Sequence, residues 1–118
     1  MSEVIDRSVW NNLMILFDND VEEMQFVIDD YYEETEGLLM EARLGQESGD
    51  DKAVYRAVHT IVSSSANVGA TKLADLAKAL DRDLKAGDKS SVDQMLPQLD
   101  AAYAEAKVEI GRLLADAA

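Results

Sequence analysis

The sequence predicts an all-α protein, an antiparallel up-down-up-down four-helix bundle with an additional N-terminal helix, and three observations predict it. Apolar residues recur every three or four positions along most of the 118 residues. Glycine occurs six times and proline once, too little punctuation for many short strands and turns. The breaks that do occur are short, and short connections between long helices make successive helices antiparallel.

Asp6 caps a first helix carrying Val9, Trp10, Leu13, Leu16 and Phe17, and Asp18-Asn19-Asp20 closes it while offering the next cap. A long amphipathic helix follows, with Val21, Met24, Ile28, Tyr31, Thr35, Leu38 and Ala42 on its inner stripe, ending near Gln46. Ser48-Gly49-Asp50 breaks the pattern, and Val54, Ala57, Val58, Ile61 and Ser65 define a third helix that Asn67-Val68-Gly69 ends. The fourth has Leu73, Leu76, Ala77, Leu80 and Leu84 inside and Asp75, Lys78, Arg82 and Lys85 outside, with Gly87-Asp88 as its stop. The last carries Val92, Met95, Leu96, Leu99, Tyr103, Ala106, Ile110 and Leu113, and Pro97 either bends it or marks its first turn. The first helix should lie across one end of the other four. Ile61, Leu73, Leu76, Leu80, Leu99 and Tyr103 are expected in one core, with Met14, Met24, Met40 and Met95 as filler. Neither a repeat nor a linker divides the chain, so residues 1–118 read as a single domain.

Hydrophobic residues at 47% are too many for disorder. The formal charge of −13 repels polyanions, which excludes nucleic acids and anionic membranes as natural partners. The absence of cysteine removes disulfides, thiol catalysis and thiolate metal sites, and fits a reducing compartment. No basic segment followed by an apolar run opens the chain and no stretch approaches a membrane span, so a cytoplasmic location is expected. Phosphate-cradling glycine loops, nucleotide-binding patterns, paired-histidine metal sites, EF-hand loops and nucleophile elbows are all missing. The chain therefore reads as no autonomous kinase and as holding no metal or cofactor of its own.

His59 is the only histidine. With Val54, Ala57, Val58 and Ile61 centring the buried stripe, the geometry of an α-helix points His59 roughly 130° away, toward solvent. A lone histidine is most often an ordinary core or surface residue, and the phase weakens the core alternative while leaving the ordinary surface one standing. Imidazole is nucleophilic near neutral pH and can attack an acyl phosphate to form a phosphoramidate that passes its group onward. Ser63 and Ala66, four and seven residues on, share the exposed stripe of His59 and leave room for an approaching partner.

The stretch from His59 to Ala74, HTIVSSSANVGATKLA, resembles the signature of histidine-containing phosphotransfer (HPt) domains. That signature has a phosphorylated histidine, then an aliphatic residue, a lysine, a glycine, paired small residues, and a Gly-Ala turn before a leucine-rich helix. His59, Ile61, Ser64, Ser65, Ala66, Asn67, Gly69, Ala70 and Leu73 match it. The resemblance implies a phosphoryl carrier rather than an autonomous enzyme. It would work in a multistep phosphorelay of two-component signalling, taking the group onto His59 from one receiver-domain aspartate and giving it to another. The implied partners are response-regulator receiver domains and a sensor or hybrid histidine kinase, with magnesium held by the receiver. Two further readings stay open: an HPt-like binding module that occupies receivers with little or no transfer, and the phosphoacceptor domain of a larger histidine kinase.

Two positions depart from the signature. Val62 stands where the family has lysine and Ser63 where it has glycine, so the positive charge that would meet the phosphoryl oxygens must come from elsewhere. Arg56, one turn before His59, and Lys78, Arg82 and Lys85, brought to its level by an antiparallel fourth helix, are the candidates. Asp81, at the same level, could accept a hydrogen bond from the imidazole and fix its tautomer. The docking patch around the histidine is expected to include Val62, Ala66 and first-helix residues such as Trp10 or Leu13.

Overall fold

The computed structural model describes residues 3–118, which form five helices and, among those residues, no strand. They are α1 (Arg7–Leu16), α2 (Val21–Ser48), α3 (Asp51–Asn67), α4 (Thr71–Lys85) and α5 (Val92–Ala117). Three aspartates start three of them. Asp6 accepts from the backbone N–H of Ser8 and Val9, Asp20 from Glu22 and Glu23, and Asp50 from Ala53. Each such cap contributes about 1 kcal/mol, and the carboxylate also meets the positive end of the helix dipole. Pro97 lies inside α5, five residues beyond Val92, so it does not mark the first turn.

α2 packs on α3, α3 on α4, α4 on α5 and α5 on α2, which closes a ring of four. Cross-helix bonds fix the level of each pair. Tyr31 and Ser65 share a buried hydrogen bond of 2.9 Å between α2 and α3. His59 meets Asp81 between α3 and α4. Lys72 bonds Glu105 between α4 and α5, and Arg43 and Glu36 of α2 bond Asp100 and Lys107 of α5.

α1 closes one end. The Asp6 N–H donates to the Gly69 carbonyl at 2.7 Å, and Gly69, at the α3–α4 turn, has φ 85°. A Cβ there would stand 3.0 Å from the Asp6 carbonyl oxygen, so both the backbone sign and the contact require glycine. The far side of α1 borders Leu113 and Asp116 near the end of α5.

Ile28, Ile61, Leu73, Leu80, Leu99 and Ile110 are fully buried in the core, and Tyr103 joins them. Four expectations need correction. Leu76 is only half-buried, because Leu73, Ala77 and Leu80 set the inner face of α4 and Leu76 falls at its margin. Leu39 is buried and Leu38 half-buried, since the stripe of α2 runs Tyr31, Thr35, Leu39, Ala42. Leu16 is 74% exposed, because Trp10 and Met14 turn inward and two further residues carry Leu16 to the opposite face. Met40 is also exposed and fills no core space. None of the described helices is long and apolar enough to cross a membrane.

Candidate functional site

His59 stands on the outer face of α3 with 58% of its side chain exposed, where the helical phase puts it. Its Nδ1 lies 2.9 Å from Oδ1 of Asp81, a residue of α4 buried at the α3–α4 seam. A carboxylate only accepts, so the imidazole donates its Nδ1–H and keeps the lone pair on Nε2. The same bond satisfies a carboxylate that would otherwise be costly to bury.

Tyr55, one turn earlier on α3, stacks its ring on the imidazole, with centroids 5.5 Å apart and planes 27° from parallel. The ring of His59 is thus held at one edge by Asp81 and on one face by Tyr55. Sequence reasoning did not single out Tyr55. Its signal is the four-residue spacing from His59, which puts two side chains in contact on any helix.

Of the other predicted site residues, Ser63 and Ala66 are exposed along the stripe of His59, and Val62 is half-buried against the core. Ser63 Oγ donates to the Thr60 carbonyl at 3.4 Å, which ties its hydroxyl to its own helix. Arg56 is on the other flank of α3, where it lines an open groove of about 530 Å³ with Leu38, Leu44 and Thr60. The groove belongs to the α2 side, so Arg56 is not gathered with the His59–Asp81 pair. Lys78, Arg82 and Lys85 are exposed on α4, around Asp81. Among the described residues, none of these four cations enters an ion pair. Trp10 is 3% exposed and cannot contribute to a docking patch, because α1 folds that ring under itself against the end of the bundle. Leu13 is half-buried.

Charge is unevenly spread. Residues 51–90 hold seven of the eleven basic residues and five of the 24 acidic ones, so α3 and α4 form the electropositive part of an acidic protein. Among the described residues, no group of three or more histidines and carboxylates is arranged to hold a metal ion.

Residues 27–109, which include His59 and Asp81, match the Hpt domain family. The chain belongs to the Hpt family. Its fold is also that of a solved Hpt protein, histidine-containing phosphotransfer protein B (HptB) from Pseudomonas aeruginosa PAO1. The TM-score is 0.88 at 19% sequence identity, covering 98% of each chain. No curated protein sequence matches at a significant level. Membership makes the chain a histidine phosphotransfer module.

Proposed function

We propose that this Hpt domain is a phosphoryl carrier of a multistep phosphorelay, working in the cytoplasm between receiver-domain aspartates. Its frame is an up-down-up-down bundle of α2 to α5 closed at one end by α1, a single domain over the whole chain. The observation that carries the reading is the exposed His59 whose Nδ1 is engaged by Asp81. The Nε2 lone pair attacks the phosphorus of a receiver's aspartyl phosphate. The P–O bond breaks with its electron pair going to the carboxylate, an N–P bond forms, and the Nδ1 proton stays in its bond to Asp81. The imidazole becomes cationic in this step, and the adjacent carboxylate stabilises it. Magnesium comes with the receiver, and a sensor or hybrid histidine kinase starts the relay.

The test is to present phosphorylated receiver domains to the protein and follow the label. Transfer onto His59 supports the carrier. Binding to a receiver with no labelling supports the second reading, a module that occupies receivers, which Val62 in place of a lysine favours. Labelling only by the ATP-bound catalytic domain of a kinase would instead make the chain a kinase phosphoacceptor.

Asp81 provides a sharper test of the chemistry. Asp81→Ala is expected to slow single-turnover transfer about tenfold to a hundredfold, the range of one hydrogen bond to a charged group expressed as a rate. Nitrogen NMR of the imidazole should show the Nδ1–H tautomer losing its predominance. Asp81→Asn, which keeps an acceptor oxygen, should retain the tautomer and lose less rate. An unchanged tautomer and rate in Asp81→Ala would remove Asp81 from the mechanism.

A further inference from the structure

The phosphoryl group arriving at Nε2 brings negative charge, and α3 presents no cation beside His59 to receive it. Val62 occupies the nearest seam position one turn on, and Arg56 turns into the groove on the α2 side. The His59–Asp81 bond fixes the register of the antiparallel pair α3 and α4. Counting three residues on along α3 and three back along α4 places Lys78 level with Val62. Counting four residues in the opposite senses places Lys85 level with Tyr55.

On α4, Lys72 and Asp83 bond Glu105 and Ser91 on the α5 flank. Asp81 reaches the α3 flank. Helical geometry sets Lys78 and Lys85 roughly 40–60° further out than Asp81 on that same flank, and Arg82 about 100° out, toward open solvent. Lys78 and Lys85 are therefore the cations that border the imidazole, one from each side. The two sides differ. Tyr55 stacks on the imidazole and lines a small hollow with Leu84 and Gly87, so its ring stands between His59 and the Lys85 end. On the Lys78 side the seam residue of α3 is the half-buried Val62, with the small Ala66 one turn beyond it. A lysine one turn from Asp81 spans this distance, since a turn rises about 5.4 Å and an extended lysine reaches about as far.

Resting on the reading of His59 as phosphoacceptor, we infer that Lys78 of α4 is the phosphoryl-binding cation of this protein, supplying across the seam the charge that α3 lacks. Its ammonium meets the phosphoryl oxygens during transfer and holds the phosphoramidate afterwards, while Tyr55 keeps Lys85 from the same role. Lys78 is free to do this because it is exposed and enters no ion pair among the described residues.

The experiment measures single-turnover transfer from one fixed phosphorylated receiver, with receiver affinity determined separately. The proteins are wild type, Lys78→Gln, Lys85→Gln, and Lys78→Gln combined with Val62→Lys. Lys78→Gln is expected to transfer at least about tenfold more slowly, as the loss of one charge-assisted hydrogen bond predicts, with helicity and the imidazole tautomer unchanged. Lys85→Gln should stay within about twofold of wild type. Val62→Lys in the Lys78→Gln background should restore most of the rate, because position 62 lies at the same level of the seam. A wild-type rate in Lys78→Gln overturns the inference. So does an equal loss in Lys85→Gln, which would mean a diffuse field, or a failure of Val62→Lys to rescue. If the wild type accepts no label from any receiver, the phosphoacceptor reading itself falls, a result separate from these and visible before any variant is made.

Discussion

Replacement of His59 by glutamine is expected to abolish phosphoryl labelling completely while leaving the fold intact. His59 is the sole histidine, so no second imidazole can take over. Its ring is exposed and adds little to the core, and surface substitutions of this kind change stability within about 0.5 kcal/mol. Glutamine is the right replacement because its amide N–H can still donate to Asp81, so the buried carboxylate is not stranded at the seam. The amide nitrogen has no available lone pair, and nucleophilic attack on phosphorus is lost. The measurement is label transfer from a phosphorylated receiver, with circular dichroism and the thermal midpoint as controls. Residual labelling would place the phosphoryl group on another side chain and remove the basis of the proposed function. Retained receiver binding by His59→Gln is expected as well, since Ser63 and Ala66, the exposed small residues on its stripe, are untouched.

How much of this was legible in the sequence differs from residue to residue for physical reasons. The exposure of His59 follows from phase alone, because a helix of known inner stripe leaves no freedom for a residue about 130° away. The presence of Asp81 at the same level needs one more assumption, that a short turn makes α3 and α4 antiparallel, and the turn at Val68-Gly69 is short enough to secure it. Tyr55 was equally accessible through its four-residue spacing, but tyrosine one turn before a histidine also fits a plain core edge, and only the stacked rings distinguish the two. The burial of Trp10 is not legible in the sequence, because the packing of α1 depends on a tertiary contact, the approach of its start to Gly69, that no helical period encodes. Arg56 shows a related limit. One turn of separation puts it near His59 along the axis, yet on a flank that faces α2, and distance along a helix does not reveal which neighbour a flank meets. Leu76 and Leu38 lie beside genuine inner-face residues, and a stripe rich in leucine leaves the exact phase undetermined within one position.

That ambiguity of phase yields the other large expected effect. Leu80→Ala should destabilise the protein by about 2–5 kcal/mol, the cost of removing a buried leucine's methyl groups and leaving a cavity that the helices close only in part. Leu80 has no exposed surface and sits in the inner stripe of α4 with Leu73 and Ala77. Leu76→Ala, at the half-buried margin of the same helix, removes the same atoms from a site that water already reaches, so its loss should be less than about half as large. Total stability for such a domain is of the order of 5–15 kcal/mol, so Leu80→Ala consumes a substantial share without preventing folding. Urea unfolding of the wild type and both variants reads the difference directly from the midpoints, provided the slopes agree. Equal losses would show that the inner face of α4 is centred between the two leucines rather than on Leu80. The consequence reaches the site, because Leu80 directly precedes Asp81 and its packing sets how α4 lies against α3. Loosening it should broaden the geometry of the His59–Asp81 bond and slow transfer in the folded Leu80→Ala protein, while Leu76→Ala, on the α5 side of α4, should leave transfer near the wild-type rate. A Leu80→Ala variant that is strongly destabilised yet transfers at full speed would show that the carboxylate is positioned by its bond to the imidazole alone, independently of the core beneath it.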